Sequence, residues 1–226
     1  MNNIPHHLGI IIDGNRRWAE EKSLPALQGH RKGMEKVEKT IIWSLNKGIK
    51  ILTLFLFSTE NWKRSKREVN YLMALIKRSF SKKNVEKINK EGIIIKVIGQ
   101  RERLPLPLQK LIKEAEELTE NNKKMILNFA LSYGGRAEIV EAIKKIIGKK
   151  IPPERITEDV ISQNLWTTDL DLFIRTGKEQ RISNFLLWQS AYSELYFCKK
   201  YWPDFTEKDL DEALEEYGRR QRRFGN

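Results

Sequence analysis

Short apolar runs alternate with amphipathic runs along the chain. The apolar runs predict five buried strands, at residues 9–13, 51–57, 93–99, 125–131 and 170–175. Apolar residues at helical spacing predict helices over 32–47, 69–90, 107–121, 137–147 and 207–222. This alternation predicts an α/β fold with a mostly parallel central sheet of about six strands. Because the strands are almost continuously apolar, we expect helices to cover both faces of the sheet.

The whole chain, residues 1–226, is expected to form a single domain. A length of 226 residues suits one substantial α/β domain and is short for two. The Pro-containing stretch GKKIPPERIT, residues 148–157, is interpreted as a connector, since the pattern of strands and helices resumes after it.

Composition and charge limit the classes of binding partner but do not select one of them. A formal net charge of +12 fits nucleic acid, an anionic membrane surface or a phosphate-rich substrate. The lone cysteine, Cys198, allows neither an intrachain disulfide nor a cysteine metal cluster. The N-terminal residues lack the features of a secretory signal and no run approaches a membrane span, so we expect a cytoplasmic protein.

Polar side chains cluster where the predicted strands end. The clusters are Asp13 with Asn15 and Arg17; Ser58 to Trp62; Tyr133 to Arg136; and Arg175 to Glu179. In a parallel sheet these ends meet at one edge, where ligands bind in open α/β folds. Turn and capping chemistry would explain the glycines and Ser58, but not the repeated arginine beside a carboxylate. The clusters therefore predict a site for a metal and phosphate groups.

Asp13 is the first candidate in this site. A strand-terminal Asp before Gly can be a simple turn residue, but this one precedes a helix start that carries Arg16 and Arg17. Its carboxylate is a hard oxygen ligand suited to Mg²⁺, and the arginines suit a diphosphate. The alternative is a pair of surface arginines.

Six segments together resemble the cis-prenyltransferases. They are DGNRRW, GH (Gly29 and His30), FSTENWKR, YGGR, RTGKEQRISNFLLWQSAYSELYF and RRFG, and they span nearly the whole chain. The DGNRR form is more similar to archaeal and eukaryotic members, because many bacterial ones have glycine in place of Arg16. The resemblance implies repeated addition of isopentenyl diphosphate to an allylic diphosphate, each new double bond being cis. It also implies Mg²⁺, a homodimer and an apolar tunnel for the product.

The resemblance assigns roles to individual residues of this chain. Asp13 is implied to bind the metal and to act in catalysis, and Asn61 to lie near the proton that is removed. Glu194 is implied to be a carboxylate linked to the metal site. Substrate contacts are implied for Gly14, Asn15, Arg16, Arg17, Trp18, His30, Ser58, Thr59, Glu60, Trp62, Arg64, Arg175, Arg181, Ile182, Ser183, Arg223 and Gly225.

Several of these residues have plainer alternatives. Trp62 could shield an allylic cation or simply pack in the core, and Glu60 could pair only with Arg64. Ser183 is expected to bind a diphosphate and also to cap a helix running through NFLLW. Arg223 and Gly225 belong to the implied closing motif that reaches across the dimer interface, or to a frayed basic tail.

The chain departs from the family pattern at three positions. Lys178 stands where many members have glycine, Gln180 replaces a common histidine, and Ala26 replaces an arginine found before GH in bacteria. Leu56 and Leu131 lie where relatives often have small residues. We hypothesise that they narrow the tunnel and shorten the product, with core packing as the alternative.

The function expected is therefore a Mg²⁺-dependent synthase of a Z-polyprenyl diphosphate, the precursor of a glycosyl carrier lipid, primed by farnesyl or geranylgeranyl diphosphate. A basic surface and a greasy product also suggest peripheral membrane contact. One alternative is a non-catalytic accessory subunit, which would be expected to lack the Asp and Arg motifs. The other is a basic RNA-binding domain, although no nucleic-acid motif is present and no nucleic-acid partner is expected.

Overall fold

The computed structural model of the protein describes residues 4–220. The six strands are β1 (His7–Ile11), β2 (Ile51–Ser58), β3 (Ile93–Ile98), β4 (Met125–Tyr133), β5 (Leu172–Arg175) and β6 (Glu194–Phe197). The eight α-helices within this range are α1 (Asn15–Glu21), α2 (Ala26–Asn46), α3 (Lys66–Ser79), α4 (Lys82–Lys90), α5 (Leu106–Thr119), α6 (Gly135–Gly148), α7 (Glu158–Asn164) and α8 (Glu207–Arg219).

All six strands form one parallel sheet in the order β3-β4-β2-β1-β5-β6. The predicted sheet is confirmed, and its sixth strand is β6, which the apolar pattern did not reveal. Ile11 pairs with Phe55 on one side and with Arg175 on the other. The strand ends that carry Asp13, Ser58 and Arg175 therefore meet at one edge.

Helix boundaries differ from the predicted ones in two places. The predicted helix over 69–90 is two helices, because the chain turns at Phe80 and Ser81, where the Phe80 ring packs into the core against Phe129. Helix α2 begins at Ala26, six residues earlier than predicted. Its early turns pack directly on α1, since a Cβ at Gly29 would lie 1.9 Å from the carbonyl oxygen of Asn15. This close approach places His30 beside the first strand end.

The expected helix through NFLLW is wrong. Ser183, Asn184 and Leu186 have φ values of 46°, 63° and 45°, which are left-handed and cannot continue a right-handed helix. The segment forms successive turns instead, so Ser183 caps no helix there. Helix α7 was also not predicted.

Apolar side chains fill both faces of the sheet, as burial on two sides requires. Leu8, Leu52 and Leu54 belong to the cluster that packs against α2 and α3, and all three are fully buried. Phe173 and Phe185 belong to a second cluster on the other face. Among residues 4–220, no helix is both long and apolar enough to cross a bilayer.

A buried polar network lies at the opposite edge of the sheet from Asp13. The His7 ring is fully buried, and its Nδ1 lies 3.1 Å from the carbonyl oxygen of Thr168 and 2.9 Å from that of Asp169. Carbonyls only accept hydrogen bonds, so Nδ1 carries the proton and Nε2 accepts from the Thr53 hydroxyl at 2.7 Å. Burial lowers the pKa of His7 from 6.5 to about 4.

We predict that His7 makes the protein less stable in mild acid. Between pH 6.5 and 4 the unfolded chain binds this proton more readily than the folded chain, so stability falls as the pH drops. From pH 7 to pH 5 the loss is about 2 kcal/mol. Urea unfolding at a series of pH values gives the slope of the unfolding free energy against pH. The contribution of His7 to this slope should be missing in His7→Asn and retained in His6→Asn, a control at an exposed neighbour. An unchanged slope in His7→Asn would contradict the assignment.

Candidate active site

A cavity of about 810 Å³ opens at the carboxyl edge of β1, β2 and β5. Its polar lining includes side chains exposed to solvent, such as those of Arg16, Glu60 and Ser183. Apolar lining residues such as Phe57, Leu72 and Ile76 are buried, so the polar part is outermost and the apolar part lies within. The polar lining includes Asp13, Gly14, Asn15, Arg16, Arg17, His30, Ser58, Glu60, Asn61, Arg64, Arg175 and Ser183. The apolar lining includes Ile12, Met34, Phe55, Leu56, Phe57, Leu72, Leu75 and Ile76. The cavity can thus hold an anionic group at its mouth and a hydrocarbon chain behind it.

Asp13 lies two residues beyond β1, and its main chain is held on both sides. Its backbone N–H donates to the Thr176 hydroxyl at 3.0 Å, and its carbonyl oxygen accepts from Trp202 N–H at 3.0 Å. Its Oδ1 accepts from the backbone N–H of Gly14 at 2.6 Å. The other oxygen, Oδ2, faces the cavity arginines. The carboxylate is therefore fixed in position and keeps its charge directed at the cavity.

Arg175 is the most deeply buried arginine of the site, with its side chain only 5% exposed. Its guanidinium donates to Asp13 Oδ2 at 2.9 Å, to the Ser183 hydroxyl at 2.7 Å and to the carbonyl oxygen of Arg181. The left-handed turn at Ser183 brings that hydroxyl into reach. Arg175 and Ser183 line the cavity together, whereas the Arg181 side chain is exposed and pairs with Glu179 at 2.5 Å.

Arg17 joins the α1 side of the mouth to the same carboxylate. Its guanidinium lies 3.2 Å from Asp13 Oδ2 and 2.5 Å from Glu179 Oε1. Two arginines from different elements thus share one oxygen of Asp13. Glu179 also pairs with Arg181, so three arginines share two carboxylates and an incoming anion finds a surplus of positive charge at this point.

Two arginines and a histidine surround Glu68 on α3, a residue that the sequence analysis missed. Its carboxylate lies 2.9 Å from Arg64, 3.3 Å from His30 Nε2 and 3.7 Å from Arg16. Burial and the neighbouring arginines lower the pKa of His30 below its ordinary 6.5, so its ring is neutral at pH 7. The four-residue spacing from Arg64 to Glu68 on a helix start was the available signal. The suggested pairing of Glu60 with Arg64 is wrong, because Arg64 pairs with Glu68.

Ser58 and Asn61 form a reciprocal cap at the end of β2. Asn61 N–H donates to Ser58 Oγ at 3.3 Å, and Ser58 N–H donates to Asn61 Oδ1 at 3.1 Å. This cap starts the 3₁₀ turn Thr59–Lys63 and leaves the Asn61 amide NH₂ without a partner among residues 4–220. Glu60 accepts from the Asn184 amide at 3.1 Å, which ties this turn to the segment that follows Arg175.

Several expected site residues lie beside the cavity rather than in its lining. Trp62 donates to Ser132 Oγ at 2.9 Å and packs against Phe57, which favours the packing alternative. Trp18 donates to Asp204 at 2.8 Å in a buried cluster. Thr59 and Ile182 are half-buried and also lie outside the lining.

Glu194 lies far from Asp13 within one chain. It begins β6 and pairs in register with Leu172, which pairs with Leu8 at the opposite edge of the sheet. Its carboxylate lies 2.9 Å from Arg220. A single chain therefore does not bring Asp13 and Glu194 to one metal ion. Arg223 and Gly225 lie outside the described residues.

The departures from the family pattern lie around the rim. Gln180 is exposed, and Ala26 is the half-buried first residue of α2. Lys178 has a φ of 66° and its ammonium lies 4.5 Å from the centre of the Tyr201 ring. Arg16 lines the cavity. Leu56 also lines it, whereas Leu131 is fully buried outside the lining.

The donor set suits a magnesium ion bound together with substrate. In residues 4–220, no three His, Cys, Asp or Glu side chains gather into a protein-only metal site. Mg²⁺ is commonly held by one or two carboxylates plus substrate phosphates and waters. Asp13 supplies one such carboxylate, which is 29% exposed and lies beside arginines that can bind phosphate groups. The residues present therefore fit the ion.

Comparison with known proteins agrees with this arrangement. Residues 11–225 match the family model described as undecaprenyl diphosphate synthase. An isoprenyl transferase of Thermotoga maritima is 48% identical over 230 residues, covering 98% of this chain and 97% of the relative. A farnesyl-diphosphate-specific ditrans,polycis-undecaprenyl-diphosphate synthase of Legionella pneumophila is 46% identical, covering 98% and 96%.

Solved structures share the fold along the whole chain. The crystal structure of lavandulyl diphosphate synthase from Lavandula x intermedia, in complex with dimethylallyl diphosphate, superposes with a TM-score of 0.95 at 39% identity and covers 99% of both chains. A probable undecaprenyl diphosphate synthase from Campylobacter jejuni gives 0.85 at 34% identity and covers both chains completely. Sequence, fold and the anion-binding cavity lead to one conclusion: the chain belongs to the undecaprenyl diphosphate synthase family of cis-prenyltransferases.

Proposed function

We propose that the chain elongates an allylic diphosphate by successive cis condensations with isopentenyl diphosphate, using Asp13, Arg17 and Arg175 at the cavity mouth. One observation carries the proposal: the carboxylate of Asp13 joins two arginines at the polar end of a cavity whose inner wall is apolar. A substrate with a diphosphate head and a hydrocarbon tail matches both ends.

Arg17 is proposed to bind the allylic diphosphate, with the backbone around Gly14 and Asn15. The allylic C–O bond breaks with its electron pair going to the diphosphate, and the arginine stabilises the charge that develops there. The side chain of Asn15 serves the turn itself, donating to the carbonyl oxygen of Ile12 at 3.0 Å. His30 and Arg64, held by Glu68, complete the polar wall on the α2 and α3 side.

Arg175 and Ser183 are proposed to bind isopentenyl diphosphate. Their mutual bond of 2.7 Å presents a charged and a neutral donor side by side, which orients an anion as well as attracting it. Arg181 contributes its carbonyl oxygen to this arrangement and lies at the exposed rim. The π electrons of the isopentenyl unit then form the new C–C bond with the allylic carbon.

The last step removes a proton from the new unit. Asparagine is a poor base, so the free amide NH₂ of Asn61 is proposed to hold a diphosphate oxygen or a water that accepts the proton. Ser58 fixes the amide through the reciprocal cap. The electrons of the broken C–H bond form the cis double bond.

Asp13 is proposed to hold Mg²⁺ when the substrate diphosphate is bound. When bound, the ion would neutralise charge on the leaving group. The Asp13 carboxylate is held in position for this role because the backbone N–H and the carbonyl oxygen of Asp13 are both hydrogen-bonded. Glu194 has no such place within one chain, since it lies at the other edge of the sheet.

A homodimer with peripheral membrane contact is proposed from the family and the surface. Val140, Ile143 and Ile147 on α6 are 50%, 46% and 68% exposed and follow helical spacing, which supports association through an apolar face. The net charge of +12 supports attraction to anionic lipid. Farnesyl or geranylgeranyl diphosphate is the proposed primer, and a glycosyl carrier lipid is the proposed fate of the product.

We predict that Asp13→Asn strongly slows elongation. Radiolabelled isopentenyl diphosphate with farnesyl diphosphate and Mg²⁺ should give an organic-soluble ladder ending at one main product. The substitution should lower its rate about 10²- to 10³-fold, since the carboxylate charge is lost where metal and phosphate meet. Asp211→Asn, at a surface carboxylate paired with Lys47, is the matched control and should leave the rate unchanged. Wild-type activity in Asp13→Asn, or no extension of any allylic primer by the wild type, would sink the proposal.

We predict that Leu56, and not Leu131, limits product length. Leu56 lines the cavity, so Leu56→Ala should enlarge it and lengthen the main product by at least one isoprene unit. Leu131→Ala removes the same atoms from a core position outside the cavity and should lower stability by about 2–5 kcal/mol without lengthening the product. Reverse-phase analysis of the products separates the two cases. If both variants lengthen the product equally, loosening of the protein core controls product length, and the width of the cavity at Leu56 does not.

A further inference from the structure

The ring of Tyr201 lies at the base of the cavity mouth, outside the lining itself. It is 8% exposed and packs directly against the turn that follows Asp13. Gly14 has a φ of +96°, and a Cβ built on it would lie 2.4 Å from Cδ1 of Tyr201. The turn and the ring therefore occupy adjoining space with no room for a side chain between them.

Backbone hydrogen bonds fix Tyr201 on both sides. The following residue, Trp202, donates its N–H to the carbonyl oxygen of Asp13 at 3.0 Å. The preceding residue, Lys200, accepts from Gly177 N–H at 2.7 Å. Tyr201 is thus tied to the loop after β1 and to the loop after β5, which carry the two proposed diphosphate sites.

Two cations lie over the Tyr201 ring. The guanidinium carbon of Arg17 is 5.6 Å from the ring centre and the ammonium of Lys178 is 4.5 Å from it. The Tyr201 hydroxyl donates to Glu21 at 2.5 Å, and Lys178 lies 3.5 Å from the same carboxylate. Glu21 therefore fixes the hydroxyl end of the ring, and its negative charge pairs with Lys178.

Arg17 has partners of two different kinds. Asp13 Oδ2 and Glu179 Oε1 each lie beside one of its two terminal nitrogens, at 3.2 Å and 2.5 Å. A guanidinium carries five N–H donors, so further donors remain open to a diphosphate. The Tyr201 ring attracts the cation through its π electrons and uses none of the N–H groups. The ring can hold Arg17 in place while its donors pass to a substrate.

We propose that Tyr201 is a positioning residue that holds Arg17 for the allylic diphosphate, with Glu21 and Lys178 fixing the ring. The inference rests on the proposed role of Arg17. It also gives Lys178 a role: in its left-handed conformation, at a position where many family members have glycine, its ammonium reaches the ring from the loop after β5.

The test is a double-mutant cycle on substrate binding. Calorimetry would measure the dissociation constant of farnesyl thiolodiphosphate, a slowly reacting analogue, with Mg²⁺ for wild type, Tyr201→Leu, Arg17→Gln and the double variant. We expect Tyr201→Leu to weaken binding about fivefold when Arg17 is present and not at all when it is replaced. Tyr201→Phe keeps the ring and should stay within about twofold of wild type.

Steady-state kinetics and thermal unfolding separate positioning from folding. Tyr201→Leu should raise KM for the allylic diphosphate and leave KM for isopentenyl diphosphate unchanged, whereas a misfolded variant would lose both. If Tyr201→Leu weakens binding equally with and without Arg17, or not at all, the inference is overturned and the proposed function stands. If Arg17→Gln binds the analogue as wild type does, the proposed role of Arg17 fails and the inference fails with it.

Discussion

The ion pair between Asp13 and Arg175 is the constraint on which the site depends. Arg175 is almost fully buried at the end of an interior strand, where an unpaired guanidinium would be costly. Asp13, on the neighbouring strand end, supplies the opposite charge at 2.9 Å. Strand register makes this possible, because β1 and β5 pair with Ile11 opposite Arg175. The sheet therefore fixes both the carboxylate and the arginine before any substrate arrives.

Around the cavity mouth, too, a single carboxylate pairs with several basic side chains. Glu179 holds Arg17 and Arg181, and Glu68 holds Arg64, His30 and Arg16. Each carboxylate holds two arginines in place, so its single negative charge does not neutralise both. The result is a preorganised, positively charged mouth on a cavity with apolar inner walls, which is what a diphosphate with a hydrocarbon tail requires.

Much of the fold could be predicted because buried parallel strands leave a strong apolar signal. The strand β6 escaped because it is short, half-buried and starts with Glu194, so its pattern differs from the interior strands. The segment after Ser183 looked helical because its composition is apolar, whereas its conformation depends on left-handed residues held by contacts with Arg175 and Gly135. Local sequence does not contain those contacts.

The candidate site was predictable at the strand ends and less so elsewhere. Asp13, Arg17 and Arg175 follow buried strands, and strand order brings them together. Glu68 and Tyr201 were missed because they contact residues distant in the sequence: Glu68 contacts His30 on α2, and the Tyr201 ring packs beneath the turn at Gly14. Trp62 is the opposite case, since its neighbours in sequence are site residues but its indole packs on Phe57 and donates to Ser132.

A crystal structure with Mg²⁺, an allylic thiolodiphosphate and isopentenyl diphosphate tests the central claim most directly. The account predicts one diphosphate against Arg17, a second against Arg175 and Ser183, the metal on Asp13, and the hydrocarbon chain between Leu56 and α3. Diphosphates bound away from the carboxyl edge of the sheet, or a metal that does not contact Asp13, would contradict it.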